Sequence, residues 1–82
     1  MLTHDRIWAA LDQLAKQAGL SPSALAIRAG LDATAFNKSK RTAPDGRPRW
    51  PSTESIAKAL AATGTSFTEF AALVEGEDAP SD

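Results

Sequence analysis

The side chains best suited to chemistry in this sequence lie between residues 33 and 49, and their chemistry is hydrogen bonding and charge rather than bond making. Asn37 carries an amide that can pair in bidentate fashion with adenine, and Lys38 can donate to the O6 and N7 acceptors of guanine. Thr34 and Ala33 offer methyl groups that can touch a thymine methyl. Lys40, Arg41, Arg47 and Arg49 follow. With Lys38 they face a single opposing acid, Asp45, so residues 38–49 carry a local +4. A patch of that kind suits a phosphate backbone. If about five such contacts form, log K falls against log salt with a slope of about −4 to −5. The bland alternative is a solvated surface. The run abuts residues 33–38, which favours the functional reading.

Net charge over the whole chain is −1 and hides this patch. Residues 1–74 hold all nine Lys and Arg but only six of the ten Asp and Glu, leaving +3. The final EGEDAPSD carries Glu75, Glu77, Asp78 and Asp82 with no base. Binding to a polyanion follows the local field rather than the total.

Other chemistries lack material. One His, no Cys and no Tyr leave scattered Asp and Glu, with no nucleophile–base pair, no metal cluster and no phosphate-binding glycine motif. No cofactor, metal or small-molecule substrate is expected, and the chain is read as not an enzyme. Its N-terminus, MLTHDRIW, has neither a basic stretch nor an apolar run, and no segment is apolar enough to span a membrane. The absence of Cys fits a cytoplasmic protein.

At 82 residues the chain is one small domain with a thin core. Abundant Ala and Leu, with a single Val, favour helix over strand. Thr3 caps a first helix over about 4–18, with Ile7, Leu11, Leu14 and Ala18 at helical spacing and Trp8 widening the stripe. Gly19 ends it. Ser21-Pro22 starts a short second helix through Ala29. Gly30 supplies a tight turn, and Asp32 caps a third helix over about 33–39. Residues 42–51, TAPDGRPRWP, form a loop. Ser52 caps a fourth helix to about Thr63, with Ile56, Ala57, Ala59 and Leu60 facing inward, and Gly64 stops it. Ser66-Phe67-Thr68-Glu69 is a capping box that opens a fifth helix. Ile7, Leu11, Leu14, Leu25, Phe36, Ile56, Leu60, Phe67 and Phe70 are the expected core. His4, the only histidine, has no partner cluster and is expected at the surface. Residues 75–82 have nothing to bury and read as an acidic tail or linker, so the ordered domain is 1–74.

The segment SALAIRAGLDATAFNK ties these elements to the cationic run. Two short helices that cross closely need a small residue, Ala26, and a reversal within three or four residues needs Gly30. Leu31 and Phe36 then plug the core and prop the third helix outward. This spacing, with the later run SIAKALAATGTSFTEF, resembles the λ-repressor-like, XRE-type helix-turn-helix family over about 70 residues. Within it, AFNKSKR and DGRPRWPSTESIAKAL are similar to the N-terminal domains of phage-type repressors that continue into a self-cleaving serine peptidase domain.

The resemblance implies an all-α, five-helix DNA-binding domain with the helix-turn-helix in helices 2 and 3. It implies sequence-specific transcriptional repression by a homodimer on a palindromic double-stranded operator. The family's base-contact positions fall on Ala33, Thr34, Asn37 and Lys38. Phosphate contacts are expected from Ser21, Ser23, Lys40, Arg41, Arg47 and Arg49. The family often has Gln where Pro22 stands, so one of the two serines takes over its phosphate. Trp50 either packs on the core and pins the loop or lies against the DNA backbone; packing is favoured, because an exposed indole is costly. The competing reading is a protein-interaction module on the same fold, antitoxin-like or dimerising.

Overall fold

Thr3 opens the first helix by accepting the Arg6 N–H on its hydroxyl at 3.2 Å, and α1 runs His4–Gln17. The structure, a computed structural model, describes residues 1–76. Ser21 caps α2, Pro22–Arg28, by accepting the Ala24 N–H at 3.1 Å, with proline in the first turn where no amide partner is needed. Gly30 takes φ +78°, and the Leu31 N–H then reaches back to the Ala26 carbonyl at 2.9 Å. Ser52 caps α3, Thr53–Thr63, and the reciprocal Ser66–Glu69 capping box starts α4, Phe67–Glu75. These four starts fall where the sequence places them.

The expected third helix over 33–39 is not an α-helix. Residues 33–36 are a run of turns, and Lys38–Lys40 form a single 3₁₀ turn. Asp32 Oδ1 accepts both the Thr34 N–H at 2.8 Å and the Thr34 hydroxyl at 2.7 Å. The chain continues through three-residue closures, Ala35 N–H to Asp32 O and Asn37 N–H to Thr34 O. Asn37 then turns extended, with ψ 153°. Thr, Phe, Asn and Ser are weak helix formers, and seven residues cannot sustain a helix unless packing does so. The architecture among the described residues is therefore four α-helices and an irregular segment between α2 and α3.

Packing centres on α1, which lies against α4 and α2, while α2 lies against α3. Ile7, Trp8, Ala10, Leu11, Leu14 and Ala15 supply its buried face, met by Leu25, Ala26, Phe36, Ala59, Leu60, Phe70 and Val74. Leu31 and Ile56 pack on this core from partly buried positions. Two expectations are corrected. Phe67 is 72% exposed: it occupies the first position of α4, at the rim of the groove whose buried lining is supplied by Phe70 and Val74 of the same helix. Ala57 is exposed, since Ile56, Ala59 and Leu60 already take the inward positions of α3. Arg6 Nη1 donates to the Glu75 carbonyl at 3.0 Å, and the Met1 amine meets the Glu75 carboxylate at 2.5 Å, so the last turn of α4 is tied to the start of α1. Of the expected tail, residues 77–82 lie outside the described residues. No described helix is long and apolar enough to cross a membrane.

Candidate nucleic-acid interface

A second stripe runs along α1 beside its apolar face. His4, Trp8 and Asp12 recur every four residues and so stack one above another. This stripe seats residues 36–50. Trp8 Nε1–H donates to the Arg49 carbonyl at 2.9 Å. His4 Nε2 lies 2.8 Å from the Arg41 carbonyl and 3.1 Å from the Arg49 carbonyl. Carbonyl oxygens only accept, so Nε2 carries the proton and donates to both legs of the loop. The other ring nitrogen faces Asp5 at 3.3 Å. His4 was expected at the surface without partners; it is instead partly buried and clamps the loop.

Asp12 completes the stripe. Its two carboxylate oxygens receive Arg41 Nη1–H at 2.9 Å and Nη2–H at 2.7 Å, a bidentate pair. Arg41 Nη2 also donates to the Phe36 carbonyl at 2.8 Å, and the guanidinium lies 4.7 Å from the Trp8 ring centroid. The Arg41 side chain is only 12% exposed. This corrects its expected place on the outward face among the phosphate contacts. Its charge is consumed internally, because the chain turns at 37–41 instead of continuing as a helix that would carry Arg41 outward.

Between the clamped legs the loop closes on itself. Thr42 and Pro48 form an antiparallel bridge, Arg49 N–H donates to Arg41 O at 2.9 Å, and Ala43 N–H to Arg47 O at 2.8 Å. Gly46, at φ +88°, takes the left-handed corner that Pro44-Asp45 leads into, and Asp45 accepts the Arg47 N–H at 3.1 Å. The result is a small, internally bonded projection with Arg47 near its tip and Arg49 at its base. Both are exposed, as are Lys38 and Lys40 on the preceding turn. Arg47 pairs with Asp45 at 3.3 Å across the turn. Among the described residues no carboxylate lies within 4.0 Å of Lys38, Lys40 or Arg49.

The other expected contact residues divide into two groups. Asp12, Lys16, Leu20, Ser23, Asn37 and Lys38 are among those lining a groove of about 410 Å³ between α1, the start of α2 and the 36–41 turn. Within it Ser23 and Asn37 stand 3.5 Å apart, hydroxyl to amide oxygen, and Asn37 is half-buried. Ala33 and Thr34 are exposed on the preceding turn, and Ser21 is spent on capping α2. The Thr34 hydroxyl and then its backbone N–H hold the Asp32 carboxyl below the usual carboxylate range, with a smaller contribution from Lys40. Trp50 is 47% exposed and meets the His4 ring edge-on at 6.1 Å. It is neither core nor free; the indole that enters the core is Trp8. Sequence reasoning missed His4, Asp12 and Trp8 as loop anchors. The available signal was their four-residue spacing beside the apolar stripe of the first helix.

No group of His, Cys, Asp and Glu that could hold a metal occurs among the described residues. In comparisons with family models, characterised proteins and solved structures, the chain matches none.

Proposed function

We propose that this chain is a sequence-specific double-stranded DNA-binding domain that acts in the cytoplasm as a transcriptional repressor. The observation that carries the reading is the clamped cationic projection. Lys38, Lys40, Arg47 and Arg49 all face solvent from a segment whose backbone is tied to α1 by His4, Trp8 and Arg41. A loop ordered in advance loses less entropy on docking than a free one. In this reading α2 and residues 31–41 form a helix-turn-helix-type unit of a λ-repressor-like domain, with turns and a 3₁₀ segment where a recognition helix would stand. Ala33, Thr34, Asn37 and Lys38 read base edges in the major groove. Ser21, Ser23, Lys40, Arg47 and Arg49 meet phosphates. Two copies on a palindromic operator place their reading segments roughly one helical turn, about 34 Å, apart. No catalytic step or cofactor is part of it.

With Arg41 turned inward, four exposed cations remain near the reading segment. Binding to generic duplex DNA, measured by gel shift or fluorescence anisotropy, then weakens with salt at a log–log slope of about −3 to −4. Affinity that ignores salt refutes the reading, as does absence of binding at low salt. Selection from a random DNA pool tests specificity and palindromy together.

One observation favours a second reading, a protein-interaction module. Leu2, Trp50, Ile56, Phe67, Phe70 and Val74 help line an apolar groove of about 430 Å³ between α1, α3 and α4, with Phe67 largely exposed. A protein partner would use that groove; DNA would use the cationic projection. Loss of DNA binding on replacing Arg47 and Arg49, with none on Phe67→Ser, separates the two.

A further inference from the structure

Asp45 is followed by Gly46, and no other Asp or Asn in the chain precedes a glycine. Such a pair carries a chemistry that needs only water. The Gly46 amide nitrogen attacks Cγ of Asp45 and closes a five-membered succinimide ring. The C–O bond to one carboxyl oxygen breaks, and that oxygen leaves as water with the amide proton and a proton taken from solvent. Water then adds to either ring carbonyl. Opening at Cγ restores aspartate; opening at the main-chain carbonyl yields isoaspartate, whose backbone runs through Cβ and Cγ. No oxidant or reductant enters. Glycine favours the first step, because no Cβ crowds the attacking nitrogen.

The fold gives the pair access and also restrains it. The Asp45 side chain is 59% exposed, and no atom lies within 4 Å of the space beside Gly46 where a Cβ would stand. Ring closure therefore meets no packing obstacle. It meets hydrogen bonds instead. The Gly46 N–H donates to the Ala43 carbonyl at 2.8 Å. The Asp45 carboxylate accepts the Arg47 N–H at 3.1 Å and lies 3.3 Å from Arg47 Nε. Nucleophile and electrophile are both engaged, and each must be released before they can join. The legs of the loop are clamped to α1 by His4 and Trp8, whereas the tip is held by its own bonds. Each of the two hydrogen bonds favours the closed form by roughly two- to tenfold, and the exposed Arg47 pair adds little. Together the two bonds slow the reaction about ten- to thirtyfold relative to an open chain.

We propose that Asp45–Gly46 is a site of spontaneous covalent modification, isomerising to isoaspartate at a rate that the closed loop restrains and local opening sets. The product lengthens the main chain by one methylene at the corner of the loop. The register that pairs Ala43 with Arg47 and Thr42 with Pro48 is then lost. Isoaspartate still carries one carboxylate, so the projection keeps its charge and loses its shape. The proposal stands apart from the DNA reading, since neither the reaction nor its test involves nucleic acid.

The full chain and a synthetic peptide of residues 42–50 are aged side by side in the same neutral buffer. A protease that cuts after lysine releases residues 41–58, in which Asp45 is the only Asp or Asn. Its isoaspartate form has the same mass, separates by chromatography and resists a protease that cuts before aspartate. Isoaspartate accumulates in both samples, about ten- to thirtyfold more slowly in the chain. A chain free of it once the peptide is fully converted overturns the site, and equal rates overturn the restraint. His4→Ala, shown to be folded by circular dichroism, raises the chain's rate severalfold toward that of the peptide; an unchanged rate also overturns the restraint. In the aged chain the Ala43 and Arg49 amides, bonded to the Arg47 and Arg41 carbonyls, exchange their protons faster than in the fresh chain. Unaltered exchange in a converted chain overturns the loss of register.

Discussion

Arg41 separates two accounts of the loop by a large margin of stability. If it were an exposed phosphate contact, Arg41→Ala would alter folding stability by no more than about 0.5 kcal/mol. The structure instead buries all but 12% of the side chain, against Asp12, the Phe36 carbonyl and the Trp8 ring. A largely desolvated cation–π contact is worth about 1–2 kcal/mol. A charged hydrogen bond to a carbonyl adds about 1.5 kcal/mol. The Asp12 pair is discounted, because Asp12 is 40% exposed and rehydrates when its partner is lost. Arg41 Nε, buried without a hydrogen-bond partner among the described residues, offsets part of the gain. The expected loss is about 2–3 kcal/mol, from a total of about 4–12 kcal/mol for a domain of this size. The melting temperature then falls by about 10–20 °C. Arg41→Lys retains the charge but not the planar fork, and recovers less than half of the loss. Urea denaturation of Arg41→Ala, Asp12→Asn and the double variant provides the readout, the cycle isolating the ion pair. An Arg41→Ala midpoint within error of the parent would refute the inward assignment and return Arg41 to the surface.

Four further outcomes follow from the geometry. His4→Ala and Trp8→Phe each remove a donor from the Arg49 carbonyl, so tryptic cleavage after Arg49 accelerates severalfold while the helix content stays constant; unchanged cleavage would show that the loop does not depend on the clamp. Gly30→Ala forces a side chain into φ +78° and destabilises by about 1–2 kcal/mol in urea, although the space around it is open. Glu69 is held below the usual carboxylate range chiefly by the Ser66 backbone N–H, so the capping stability is complete above the ordinary carboxylate pKa and is lost as pH falls through the lowered value; Glu69→Gln flattens the fall of the urea midpoint below about pH 4.5, and an unaltered slope would contradict the box. If the DNA reading holds, Asn37→Ala relaxes base preference, whereas Arg49→Ala weakens all duplexes alike and lowers the salt slope by about 1.

Capping chemistry made the four α-helices legible. Thr3, Ser21, Ser52 and Ser66 each announce a helix start, because an unpaired N–H must find an oxygen within the first turn. Asp32 carried the same signal and misled, since its carboxylate closed a local turn onto Thr34 instead of launching a helix. Nothing in ATAFNKS had the propensity to overrule that turn. The cationic run was visible as composition, but composition could not tell Arg41 from its neighbours. That distinction depends on Asp12, twenty-nine positions earlier, standing on the edge of α1 where a turn at 37–41 brings the guanidinium. His4 was misjudged for the same reason. Its partners are main-chain carbonyls, which no residue type advertises. Phe67 was misread because apolar character and helical spacing do not reveal where the opposing helix ends.

The stripe on α1 holds residues 36–50 mainly by their carbonyl oxygens, at Phe36, Arg41 and Arg49, through Arg41, His4 and Trp8. A carbonyl is the same whatever side chain it belongs to. Apart from Arg41, the identities of the outward residues are therefore decoupled from the forces that shape the segment. Lys38, Lys40, Arg47 and Arg49 can be exchanged without disturbing the scaffold, which makes this fold a support on which new surface chemistries can be tried while the frame beneath stays constant.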